Sequence, residues 1–82
     1  MEKSIYTSEH VVLTRLLRQC REERGYTQTE LGELLGQSQS FVSKFERGDR
    51  RLDFVQLREV CRVLGVTLVD FAKRFERELK KG

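Results

Sequence analysis

The sequence contains no proline. A chain without this helix breaker, with six glycines at apparent helix ends or crossings and 35% charged residues, favours an all-helical domain with solvated outer faces. Histidine is nearly absent too. The single His10 has no second ligand at metal-binding spacing, so neither a zinc site nor a Cys-His nucleophile is supported. The two cysteines, Cys20 and Cys61, fall on different expected helices beside leucines, where they read as small buried hydrophobes rather than as a disulfide or a metal pair. No apolar run approaches the roughly 20 residues needed to cross a bilayer, and the opening MEKSIYTSEH lacks a signal-peptide core. An intracellular, cytoplasmic chain is expected. Repeats, low-complexity segments and linkers are also missing, so the chain reads as one unit.

What is present fits one small helical core. Eighty-two residues, 38% of them hydrophobic, allow a single domain of marginal stability that oligomerisation would help. Sixteen Lys and Arg against thirteen Asp and Glu leave a net charge of +3, a weak sign of a polyanionic partner. Between Thr27 and Arg51 the charges cancel: Lys44, Arg47, Arg50 and Arg51 balance Glu30, Glu33, Glu46 and Asp49. The acids lie mostly at caps or on one helix, which leaves the four cations together near one surface.

The run from Thr27 to Gly48, TQTELGELLGQSQSFVSKFERG, reads as two short capped helices joined by a glycine turn. Thr27 and Glu30 have capping-box spacing, with Tyr26 and Leu31 placed as a hydrophobic staple. Leu31, Leu34 and Leu35 recur at helical spacing, which predicts an apolar side that must be covered on a helix from Gln28 to about Leu35. Gly36 permits the positive φ that ends it. Ser38 is an N-cap for a second helix, in which Val42 and Phe45 point one way while Gln39, Ser40, Ser43, Lys44 and Arg47 share the other. So short a helix is held only by packing, and its polar face combines amide, hydroxyl and cationic groups able to read base edges and neutralise phosphates.

Those residues resemble the Cro/CI-type (XRE-like) helix-turn-helix proteins, the family of phage repressors and related bacterial regulators. The match lies in Gln28, the small residue Gly32 at the helix crossing, Gly36, Val42 and the SKFERG ending from Ser43 to Gly48. It extends outward to Arg21 four residues before Gly25 and to the LREVCRVLG helix from Leu57 to Gly65, covering about Val12 to Phe71. At Gly32 the family more often has alanine.

The resemblance implies an all-α, five-helix lambda-repressor-like domain. The expected helices run from about Ser8 to Arg24, with Leu13, Leu16, Leu17 and Cys20 on one stripe; over the pair above; from the Asp53 cap to Gly65, burying Leu57, Val60, Cys61 and Leu64; and from Thr67 to about Lys80. Residues 1–7 and the last two are expected tails, with residues 8–80 as the domain and 67–80 as a possible dimerisation helix.

The family also implies roles. Gln28, at a helix N-terminus, is expected on the DNA backbone. Gln39 opens the recognition helix, where its amide can pair bidentately with adenine; Ser40, Ser43 and Lys44 complete the base-reading face. Arg47, Arg50 and Arg51 are expected to neutralise phosphates. Phe41 either touches a sugar or thymine methyl or completes the core. Arg21 and Glu46 are expected to pair across the first and third helices and orient the recognition helix.

In the last helix Leu68, Phe71 and Ala72 are expected to finish the core, whereas Phe75 and Leu79 extend beyond it as part of a twofold interface. The leading function is a sequence-specific DNA-binding transcriptional regulator, a repressor or autoregulator acting as a homodimer on a palindromic operator. The alternative is a protein-interaction module or antitoxin that keeps the fold without specific DNA binding. No enzyme is expected, because no nucleophile, base and oxyanion donor converge; no cofactor, metal, membrane or small-molecule ligand is implied.

Overall fold

A computed structural model describes residues 8–81. Among these described residues five α-helices follow one another: α1 (Ser8–Glu23), α2 (Gln28–Leu34), α3 (Gln39–Arg47), α4 (Phe54–Val63) and α5 (Leu68–Lys81). The expected tail at residues 1–7 lies outside the described residues. At the other end α5 continues through Lys81, one residue past the expected stop, with Lys80 and Lys81 in its last turn where cations favour the helix dipole.

The helix starts follow the caps written in the sequence. The Thr27 hydroxyl accepts from the Glu30 amide at 3.0 Å while the Glu30 carboxylate accepts from the Thr27 amide at 2.8 Å. Asp53 and Gln56 repeat this reciprocal box on α4 at 2.7 and 2.9 Å. Two of the orphan amides at each helix start are thereby satisfied. The end of α2 closes with Gly36 at φ 68°, whose amide donates to the Glu33 carbonyl at 3.0 Å while the Gln37 amide donates to the Gly32 carbonyl at 2.8 Å. This double turn needs a residue without a Cβ at its left-handed position, and it turns the chain within four residues into α3.

The core draws on every helix: Leu16, Leu17 and Cys20 of α1, Leu31 of α2, Val42 and Phe45 of α3, Val60 and Cys61 of α4 with Leu64 at its cap, and Phe71 of α5. Both cysteines are free and buried, as the two small hydrophobes expected. Burial pushes the Cys61 thiol up to about 11. Arg74 of α5 fastens this layer to α1 through two bonds to the Glu23 carboxylate, at 3.2 and 3.1 Å, and a third to the Cys20 sulfur at 3.3 Å.

Two core expectations are corrected. Leu34 is 53% exposed, because α2 packs against α3 through Leu31 and Gly32 and the helix rotation carries Leu34 to its outer edge. Ala72 is exposed as well: Phe71 alone of α5 is fully buried, and Leu68 and Phe75 flank it half-buried. Among the described residues, no helix is long and apolar enough to cross a membrane, and no group of three His, Cys, Asp or Glu side chains could hold a metal ion.

Candidate nucleic-acid interface

The nine residues of α3 depend on their neighbours for support. Val42 and Phe45 are buried to 0% and 1% exposure, and the Ser38 hydroxyl caps the helix by accepting from the Phe41 amide at 3.2 Å. Burial of these two side chains contributes about 3–6 kcal/mol, more than so short a helix can supply from its own hydrogen bonds. At the crossing with α2, Gly32 leaves no room: a Cβ there would lie 2.8 Å from the Ser38 carbonyl oxygen and 2.9 Å from its carbon. The two helices approach until backbone meets backbone, and that approach fixes how α3 projects from the domain.

A chain of polar bonds sets the remaining degree of freedom. Arg21, buried on α1, donates from Nε to Glu46 Oε2 at 2.7 Å and from Nη2 to Glu46 Oε1 at 3.2 Å, and its Nη1 donates to the Tyr26 carbonyl at 2.8 Å. The planar guanidinium holds the carboxylate by its forked edge, a geometry no lysine reproduces. Glu46 Oε1 also accepts from Gln28 Nε2 at 3.0 Å, and Gln28 Oε1 accepts from Gln39 Nε2 at 2.8 Å. The expected structural pair and two expected DNA contacts therefore form one connected series, from α1 through the end of α3 and the start of α2 back to the start of α3.

Gln28 thus faces inward, half-buried, with its amide engaged at both ends. Gln39 is exposed, and its one bond to Gln28 leaves its oxygen and a second N–H for another group. An adenine edge requires one acceptor and one donor of that kind. Ser40 and Lys44 are exposed on the same helix and Ser43 is half-buried beside them. These four positions form a polar strip along α3, opposite Val42 and Phe45.

The cations beyond the strip occupy different settings. Arg47 donates to the Asp49 carboxylate at 3.0 Å. Arg50 lies with its guanidinium carbon 4.9 Å from the centre of the Phe41 ring, and Phe41 meets Phe45 edge to face at 5.6 Å and 78°. Phe41 is half-buried against the core, so the structure assigns it core packing on one side and Arg50 on the other. The left-handed Gly48, at φ 84°, ends α3, with the Asp49 and Arg50 amides both donating to the Lys44 carbonyl of its last turn at 2.9 and 3.3 Å. Arg51 is exposed and lies close enough to His10 to act on its charge.

His10 of α1 packs at the end of α3. Its ring sits against Gly48, where an added Cβ would come within 3.6 Å of Cδ2. Burial, followed by the charge of Arg51, lowers its pKa below 6.5. Nothing in the linear spacing of His10 announces this contact, which depends on the angle of α1 across the end of α3.

A second surface is apolar. A groove of about 380 Å³ is lined by Leu13, Phe54, Leu57, Leu68, Val69, Phe71, Ala72 and Phe75. Phe54, Val55 and Val69 are 72%, 75% and 64% exposed. Phe75 is therefore part of the groove and packed on the core, while Leu79 is half-buried one turn farther along α5. Phe54, Val55 and Val69 were not expected from the sequence; the signal for the first two was a pair of large apolar residues opening α4.

A helix-turn-helix family model matches residues 17–71. Among solved structures, an XRE-family-like protein from Pseudomonas syringae pv. tomato is 37% identical over 87% of this chain and 87% of its own, with a TM-score of 0.80. A mutant of the restriction-modification controller protein C.Esp1396I is 25% identical, with 92% of this chain and 95% of that one covered and a TM-score of 0.84. The clp gene regulator ClgR from C. glutamicum is 28% identical over 85% and 90%, with a TM-score of 0.76. No curated protein sequence matches the chain.

Proposed function

Since the chain belongs to the Cro/CI-type, XRE-like helix-turn-helix family of DNA-binding transcriptional regulators, we propose that it acts in the cytoplasm as a homodimer, represses or autoregulates from a palindromic operator, and inserts α3 into the major groove. The observation that carries this reading is the series from Arg21 to Gln39, which locks the first reading side chain of an otherwise exposed α3 face. Preorganisation of this kind matters because side chains ordered before binding lose less freedom on the DNA.

In this reading Gln39, Ser40, Ser43 and Lys44 meet base edges, and Arg47, Arg50 and Arg51 meet phosphates on either side. Gln28 contacts the DNA backbone through its remaining N–H while steadying Gln39. The domain residues 8–80 form the binding unit. C.Esp1396I, of the same fold, has been solved as a tetramer on its natural 35-base-pair operator.

One α3 reads too few bases for useful selectivity, so a second copy is required, and the groove between α4 and α5 is the surface suited to it. Phe75 and Leu79 contribute with Phe54 and Val69 around them. A twofold pairing there sets two α3 helices roughly 34 Å apart, one turn of DNA.

Selection of bound duplexes from random DNA tests the reading. The expected product is a palindrome with half-sites about one helical turn apart and affinity that falls steeply with salt. Gln39→Ala should relax preference at one base position per half-site, and Arg50→Ala should weaken all sites alike. Enrichment of no sequence over several rounds would return the chain to the class of protein-interaction modules.

A further inference from the structure

The contact between Phe41 and Arg50 has chemistry that the reading face alone does not use. Arg47, the last residue of α3, and Arg50, just beyond it, are held differently. Arg47 is bonded to a carboxylate, Asp49, at 3.0 Å. Arg50 rests on an aromatic face at 4.9 Å. Asp49 takes the Nε–H of Arg47 and offsets part of its charge, so Arg47 meets a phosphate with its remaining N–H groups and a carboxylate beside it. A ring face attracts the cation through its quadrupole and leaves the N–H edge available.

The ring is itself fixed. Phe41 sits in the first turn of α3, half-buried, in an edge-to-face contact with the fully buried Phe45. The turn at Gly48 ties the amides of residues 49 and 50 to the Lys44 carbonyl in the last turn of α3. From there the Arg50 side chain reaches the Phe41 ring in the first turn, at the end of α3 that carries Gln39 and Ser40.

We propose that Phe41 is a positioning residue for DNA binding: its ring holds Arg50 beside the reading end of α3 with the guanidinium edge ready for a backbone phosphate. This rests on the DNA-binding reading above. Phe41 then contributes to affinity through Arg50, and Arg50 is the primed clamp where Arg47 is a restrained one.

A double-mutant cycle on a duplex selected from random DNA tests this. Phe41→Leu keeps apolar volume on the core side and removes the ring; it should weaken binding roughly two- to fivefold. In an Arg50→Ala background the same change should have no effect, because the group it positions is gone. Phe41→Tyr should bind like the wild type. A full additive loss in the Arg50→Ala background would overturn the proposal while leaving DNA binding intact; failure to select any duplex would overturn the reading beneath it. Should Phe41→Leu unfold, the wild-type protein decides by NMR: Arg50 side-chain protons should be shifted upfield by the ring current, and shifts at ordinary exposed-arginine values would refute the stacking.

Discussion

Replacing Arg21 with alanine should cost the fold about 3 kcal/mol, at the lower end of what breaking one side of a buried ion pair entails. The structure gives the reasons. The Arg21 and Glu46 side chains are only 11% and 3% exposed, so the carboxylate left behind cannot recover its hydration. It loses donors at 2.7 and 3.2 Å and keeps one neutral donor, Gln28 at 3.0 Å. The Tyr26 carbonyl loses its partner at 2.8 Å in the same substitution. A domain of this length has a total stability of about 4–12 kcal/mol, so the loss is a large share. It corresponds to a fall in Tm of about 12–24 °C. Urea unfolding and thermal melts at one fixed chain concentration measure it, the concentration being held because self-association shifts both. Arg21→Ala with Glu46→Gln should be more stable than Arg21→Ala alone, since a neutral amide replaces the stranded charge. An Arg21→Ala protein within about 0.5 kcal/mol of the wild type would refute the view that this pair is a buried constraint on α3.

Gly32→Ala should destabilise by about 1–2 kcal/mol and weaken DNA binding: the overpacking against the Ser38 backbone outweighs the gain of about 1 kcal/mol in helix propensity. Equal or higher Tm would show that α2 and α3 can separate without cost. Burial, followed by the charge of Arg51, holds the folded His10 pKa below the ordinary 6.5, so between the folded and unfolded pKa values the unfolded chain binds the proton and the fold does not. Stability should be complete above about pH 7.5 and decline as the pH falls through 6.5 and below, with a flatter decline in His10→Gln, by melts across pH. With its thiol near 11, Cys61 should hold roughly a thousandth of its population as thiolate at pH 8 and react with a thiol reagent only on unfolding; fast native labelling would contradict its burial. Val69→Asp, at an exposed edge of the apolar groove, should halve the sedimented mass and reduce operator affinity, and its Tm should match the wild type's only at dilutions where the wild type is itself monomeric. An unchanged mass would move the interface elsewhere.

Much of the site was legible because it was local. The Thr27–Glu30 box, the Ser38 cap and the turn at Gly36 each involve residues within a few positions, and their hydrogen bonds appear where the spacing puts them. The outward face of α3 follows from the same period, once Val42 and Phe45 are taken inward. Leu34 shows where such reasoning fails: periodicity marks an apolar stripe but not how wide the neighbouring helix is, and α3 covers Leu31 without reaching Leu34. Ala72 fails for the same reason on α5.

By itself the sequence determined the five helices, their caps and their apolar faces, because these depend on interactions a few residues long and on a repeat of 3.6. Only the tertiary structure decided how Gln28 joins Glu46 to Gln39, that Arg50 lies on Phe41 while Arg47 holds Asp49, and that His10 rests on Gly48. Those contacts depend on the angles at which helices cross, and the angles are set by the whole packed core: by the bare backbone at Gly32, by the volumes of Leu31, Val42 and Phe45, and by the buried carboxylate that Arg21 holds in place.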